Sequence, residues 1–157
     1  MIRQLKNNIF LVKLLSGLND RNNKLNAIRY VTFKARETNN QFGFYTPHGF
    51  SEKLEGKIII KAWKEIPVKF PDCVLGEHVL KPDTFSGIIM LDSIHAEERQ
   101  NRQYLKILIY FKNRSTELLN KLHGTHGRVL WQNNYEEITI SEIESLKEVL
   151  TLIKKSA

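Results

Sequence analysis

"QYLKILIYF", residues 103–111, is the stretch on which the fold turns. Read with a period of two, it sends Leu105, Ile107, Ile109 and Phe111 one way. Tyr104, Lys106, Leu108, Tyr110 and Lys112 then go the other way. Alternation in a run rich in β-branched and aromatic residues is the pattern of a strand. "SGIIMLDSI" (86–94) reads the same way, and the polar "HAEERQNR" between them reads as the loop of an antiparallel hairpin.

Working outward, "AIRYVTFKAR" (27–36) is a strong strand, with Val31 and Phe33 inward. Tyr30, Thr32, Lys34 and Arg36 lie on its other side. "TNNQ" makes a turn, where Asn tolerates positive φ, into a strand at 42–46 that "TPHGF" ends. "KIIIKAW" (57–63) reads as a further strand, with Ile58, Ile60 and Ala62 inward and Lys57, Ile59, Lys61 and Trp63 outward. From Pro67 to Pro82 the chain reads as irregular, with one short strand at 73–75. "RSTELLNKLHG" is a helix with Ser115 as its N-cap and Gly124 at its C-terminal stop. "RVLW" and "EEITI" are short strands. The last element is a helix: Ser141 and Glu144 form a capping box, and Ile143, Leu146, Val149, Leu150 and Ile153 make its apolar stripe. Lys154 and Lys155 sit at the negative end of its dipole. Residues 2–18 fit a helix or a buried strand equally, and 17–26 a loop. The expectation is an α+β fold: one domain over 1–157, a mostly antiparallel sheet with helices packed on one face, and a C-terminal helix. Ile58, Ile60, Ile107, Ile109, Leu146 and Val149 are expected to share one core.

The bulk numbers are those of an ordinary globular domain. The chain has 157 residues, 41% hydrophobic and 26% charged. One cysteine, Cys73, rules out an internal disulfide framework and points to a reducing, cytoplasmic setting. No apolar run reaches the ~20 residues a membrane span needs. "MIRQLKNNIFLVKLL" opens like a secretory signal, but Lys13 interrupts the run and no small-residue cleavage site follows, so none is expected.

Charge is distributed unevenly. The net charge is +7, and residues 1–36 hold eight Lys and Arg against Asp20 alone. Residues 99–116 carry Arg99, Arg102, Lys106, Lys112 and Arg114 with no acid, whereas 37–98 hold ten acids and six bases. Such asymmetry suits a polyanion-facing side; a lysine-rich composition without functional meaning would produce it too. The three strand readings add rings to the cations. Tyr30, Lys34 and Arg36, then Lys57, Lys61 and Trp63, then Tyr104, Lys106, Tyr110 and Lys112, interleave aromatic and basic side chains on one expected sheet face. Single-stranded nucleic acid is held this way, with bases stacked on rings and phosphates met by cations. Tyr, Trp and Lys are equally at home on a plain solvent-facing strand.

"LHGTHGR" (122–128) sets two histidines beside glycines. The glycines suit a helix stop and a bend into the next strand. As chemistry, His123, Thr125, His126 and Arg128 could contact a phosphate. A zinc site would need more ligands, for which Cys73, His95 and Glu97 are the nominees. A two-histidine phosphodiesterase would need a second His-x-Ser/Thr, and the sequence has none. Glu55 and Lys57, two apart at a strand start, have a spacing that metal-dependent nucleases use, with Asp72, Asp83 or Asp92 as a further acid. No catalytic or cofactor motif of high specificity is present, so no metal, cofactor or catalytic residue is assigned. The expected function is a non-enzymatic nucleic-acid-binding protein, ahead of a small module that binds an acidic protein, with a phosphodiesterase or nuclease third.

Overall fold

The computed structural model describes residues 28–91, 97–141 and 143–156. The first 27 residues, including the ambiguous segment 2–18 and most of the basic run 1–36, lie outside them. In chain order the elements are β1 (Ile28–Ala35), β2 (Gly43–Thr46), β3 (Gly49–Glu52), α1 (Leu54–Lys64) and α2 (Ile66–Lys69). Then come β4 (Cys73–Leu80), β5 (Thr84–Leu91), α3 (Glu97–His123), β6 (Trp131–Ile140) and α4 (Ile143–Ser156). The fold is α+β: an antiparallel sheet of order β4-β5-β1-β6, a separate β2-β3 hairpin, and helices.

β1 is the strand its alternation foretells. Val31, Phe33 and Ala35 are buried on one face, and Ile28, Tyr30 and Thr32 lie on the other. Its register carries both neighbours: Phe33 stands opposite Phe85 of β5 and Tyr135 of β6, so the three rings share a face. Helices α1 and α3 cover that face. The two helices run antiparallel, since His123 at the end of α3 meets Glu55 at the start of α1 while Arg114 meets Glu65 just past its end. A second, smaller core lies on the opposite face, where Leu146, Val149 and Ile153 of α4 pack with Ile28, Ile88, Met90 and Ile140.

Several sequence readings are corrected. "KIIIKAW" is helix α1: Ile59, Ala62 and Trp63 are buried, while Ile58 and Ile60 are half-buried. "QYLKILIYF" is not a hairpin arm. It lies within the 27-residue helix α3, which takes in most of the expected loop at 95–102 and all of "RSTELLNKLH". Tyr104, Ile107, Leu108, Phe111, Ser115 and Leu119 are its buried residues, recurring at helical spacing. Leu105 and Ile109, expected inward, are 49% and 50% exposed. The expected single core is therefore divided: Ile107 lies in the first, Leu146 and Val149 in the second, and Ile109 in neither.

Ser115 caps nothing. It is fully buried in mid-helix, where its hydroxyl donates to the Phe111 carbonyl (2.6 Å) and accepts from the Trp131 indole nitrogen (2.8 Å). The Pro67–Pro82 stretch is more regular than expected: β4 fills 73–80, with an irregularity in register between Leu75 and His78. "EEITI" lies within β6, which is continuous from Trp131 to Ile140, whereas of "RVLW" only Trp131 is in a strand and residues 128–130 precede it as irregular chain.

The helical phase of α3 is directly testable. Ile107→Ala should cost about 2–5 kcal/mol, since a buried branched side chain leaves a cavity. Ile109→Ala should stay within about 0.5 kcal/mol of wild type, as a surface change does. Urea unfolding of both variants reads the difference; equal losses would mean the strand phase.

Candidate nucleic-acid interface

The structure sorts the sequence-nominated residues into three groups. Trp63 and Tyr104 are core residues and offer no ring to a ligand. Trp63 is 1% exposed and packs on Phe85 (5.0 Å between centroids) and Phe111 (5.4 Å). Gly87 makes room for it, because a Cβ there would lie 2.4 Å from the indole. Tyr104 is also 1% exposed, and burial raises its hydroxyl pKa well above the usual tyrosine range. Its ring lies under the guanidinium of Arg29, 4.0 Å from the centroid, and Arg29 also bonds Glu137 and Asn101. This contact joins β1, β6 and α3 at the end of the sheet.

A second group keeps its exposure but is occupied. On β1, Lys34 bonds Glu136 of β6 (2.7 Å), and the neighbouring Thr32 hydroxyl bonds that of Ser86 (2.8 Å). Tyr30 is half-buried beside the α4 core. Lys112 donates to the carbonyls of Gln132 and Asn133 (2.9 and 3.3 Å). Tyr110 is half-buried and meets Phe70 edge-on at 5.5 Å. The rings and cations therefore do not gather on one sheet face.

The third group is free cations, and it lies on the helical layer. Arg99, Arg102 and Lys106, spaced three and four apart, share one side of α3 and line a single groove of about 310 Å³ with Gln103 and Asp72. None of the three has an ion-pair partner among the described residues, whereas Arg29, Lys34, Arg114, Arg128 and Lys147 all do. Asp72 is turned to the Gln103 amide, which donates to both its oxygens (3.2 and 3.4 Å). On α1, Lys57 and Lys61 are exposed and, with Lys64, fall within an arc of about 60° on the helix. Sequence reasoning picked out Lys57 and Lys61 through a strand that is a helix, and passed over Lys64. The helical period, with Ile59, Ala62 and Trp63 facing in, would have found it. Arg36 is exposed just past β1.

"LHGTHGR" is a helix stop followed by a bend: Gly124 and Gly127 have φ +65° and +67°. Its polar groups face different partners. His123 bonds Glu55 (3.1 Å), Thr125 donates to Asn120 (2.7 Å) and Arg128 donates to Glu37 (2.6 Å). His123 and Arg128 line one small pocket, but each is bonded to a carboxylate. No group of three potential metal ligands occurs among the described residues, and His95 and Asp92 lie outside them. The nuclease geometry fails for a separate reason. Glu55 and Lys57 are on a helix, where a spacing of two points side chains apart. Asp83 accepts the amides of Asn40 and Gln41 (3.2 and 2.9 Å), a turn-holding role. Cys73 is buried, and burial pushes its thiol up to about 12, which keeps it protonated.

No protein-family model matches the chain, and no curated protein matches it. Solved structures do. A REP-associated tyrosine transposase bound to a REP hairpin aligns with a TM-score of 0.55 at 13% identity, over 81% of this chain and 64% of that one. A protein of Deinococcus radiodurans R1 described as a transposase aligns at 0.50 and 12%, over 85% of this chain and 91% of that one. This chain thus spans less than two thirds of the first structure. The likeness is one of fold. No helix among the described residues is long and apolar enough to cross a membrane.

The Glu55–His123 contact has a pH signature. The hydrogen bond from His123 holds the Glu55 carboxyl below its ordinary 4.5, with desolvation opposing. A depressed folded pKa means stability that is complete above the unfolded value and lost as pH falls through the folded one. The melting temperature of Glu55→Gln should therefore lie below wild type above pH 4.5, and the two should converge as the pH drops below it. A gap that persists in acid would show that Glu55 acts by packing.

Proposed function

We propose that this protein binds nucleic acid without cleaving it, gripping the phosphate backbone with the outer side of its helical layer. The observation that carries the reading is the α3 groove: Arg99, Arg102 and Lys106 converge on one concavity without carboxylate partners among the described residues. Three like charges held together repel one another, and a polyanion relieves that repulsion while releasing its own counterions. Lys57, Lys61 and Lys64 extend the cationic surface along α1, which packs against α3. The fold likeness to a transposase bound to a REP hairpin points the same way and makes hairpin-forming DNA the first ligand to try. Of the rings that the sequence groups with these cations, Trp63 and Tyr104 play no part, since both are structural.

An acidic protein is the second reading, and one observation favours it. Leu105 and Ile109 lie exposed on α3 close to Arg102 and Lys106, the mixture of apolar and basic groups that protein interfaces use.

Salt separates the two. With a DNA hairpin, log affinity should fall linearly with log salt, at about 0.9 per phosphate contact for a duplex. Replacing Arg99, Arg102 and Lys106 with Gln should reduce that slope by roughly 2–3, since each lost cation is a lost phosphate contact. An unchanged slope moves the site away from α3; no binding at low salt by folded protein removes the nucleic-acid reading. Labelled DNA should stay intact on incubation with magnesium or manganese, and metal-dependent cutting would replace a binding role with an enzymatic one.

A further inference from the structure

Phe44 and Tyr45 are the exposed aromatic side chains among the described residues, at 43% and 58%, and both stand on the β2-β3 hairpin. The hairpin that presents them is firmly held. Phe42, just before it, is fully buried against Trp131 (5.4 Å), its amide donates to Pro82, and its carbonyl accepts from Lys53. Gly43 lets the Phe50 ring lie on the strand, where a Cβ would come within 2.3 Å of it. At the tip the Thr46 hydroxyl donates to the Gly49 carbonyl (2.9 Å) and accepts from the His48 amide (3.1 Å).

The register places the two exposed rings on opposite faces: Tyr45 pairs with Phe50, and Phe44 with Ser51. Tyr45 leans edge-on against Phe50 at 5.5 Å, while Phe44 has no ring neighbour among the described residues. Ring faces held rigidly in water lose little entropy on stacking. The hairpin itself is nearly neutral, with Glu52 its one acid and no Lys or Arg. The cations come directly after it. β3 ends at Glu52 and α1 begins at Leu54, so the chain runs from the rings into Lys57, Lys61 and Lys64. The one carboxylate of α1, Glu55, is taken by His123.

We propose that the β2-β3 hairpin stacks on unpaired bases of a nucleic-acid strand whose phosphates follow the α1 lysines. This rests on the nucleic-acid reading and adds to it what the protein distinguishes: the single-stranded extension of a folded strand from its paired stem. Stacking tolerates sequence because every base has a π-face, so the recognition is of unpaired structure.

Fluorescence anisotropy with a DNA hairpin carrying a single-stranded tail, against the same hairpin made blunt, tests it. Wild type should prefer the tailed form, and Phe44→Ala with Tyr45→Ala should lose about tenfold or more on the tail while keeping its affinity for the blunt stem. Phe44→Leu with Tyr45→Leu, which keeps apolar bulk on the hairpin, should lose the same preference. 2-Aminopurine in the tail should be quenched by wild type and not by either variant. Lys57, Lys61 and Lys64 changed together to Gln should lower the salt slope on the tailed form. Equal affinities of wild type and both ring variants on the tailed hairpin overturn the stacking role and leave phosphate binding standing. Binding to neither DNA overturns both.

Discussion

One ring, Phe111, touches rings from four other elements. It lies 5.0 Å from Phe33 of β1, 5.3 Å from Phe85 of β5, 5.4 Å from Trp63 of α1 and 5.9 Å from Trp131 of β6. Aromatic pairs in tilted or edge-on geometry gain on the order of 1 kcal/mol each beyond the area they bury. Their larger effect here is geometric, because one side chain sets where three strands and a second helix stop relative to α3. One turn later Ser115 accepts the Trp131 indole proton while its own proton goes to the Phe111 carbonyl, so that indole is satisfied without water, whereas the buried Trp63 Nε1 has no partner among the described residues. A buried indole N–H left unpaired beside an apolar residue would carry a desolvation cost. The serine that resembles a cap in the sequence is there for its oxygen.

The sequence conveyed the sheet better than the helices. Alternation in 27–36 placed Val31 and Phe33 correctly, and the stripe of α4 was legible in Leu146, Val149 and Ile153. On the main face α1 and the first part of α3 were misread, and for one reason, while the last part of α3, 114–123, was read as the helix it is. "KIIIKAW" and "YLKILIYF" are dense in isoleucine and aromatics, which favour strands when a short window is read by itself. The competing signal needed a longer window. Ile59, Ala62, Trp63 and Ile66 recur at helical spacing, and so do Tyr104, Ile107, Leu108, Phe111, Ser115 and Leu119 over sixteen residues of α3. A strand of that length would be unusual, whereas a helix continues as long as one side stays apolar. Tertiary packing outweighed intrinsic preference because the sheet, already apolar on that face, needed a cover.

The phase change relocated the chemistry. Reading α1 and part of α3 as strands puts cations and rings on one sheet face; winding them moves Lys57, Lys61 and Lys106 to the outside of the helical layer, where Lys106 joins Arg99 and Arg102 from the expected loop. The same winding drives Trp63 and Tyr104 into the core. Charge survived the correction because a long basic side chain is solvent-facing in either conformation. Aromaticity did not, since a large ring is drawn to whichever side is buried. Charge asymmetry along a sequence is therefore the sturdier guide to a surface, and ring placement becomes informative only once the helical or strand period is fixed.

Among the described residues, what remains exposed and aromatic is confined to the β2-β3 hairpin, and its location has a physical logic. A hairpin of four-residue strands has no core of its own and depends on its base. Here Phe42, Gly43 and Lys53 tie that base to the main core and to the loop ahead of β5. Anchoring at the base lets the strands carry side chains that contribute little to folding. The adjoining α1 has its inner side fixed by Ile59, Ala62 and Trp63 and its outer side left to lysine. Rings on a short anchored hairpin and cations on the helix that follows give this chain two adjacent surfaces, each free of the demands of the core it is built on.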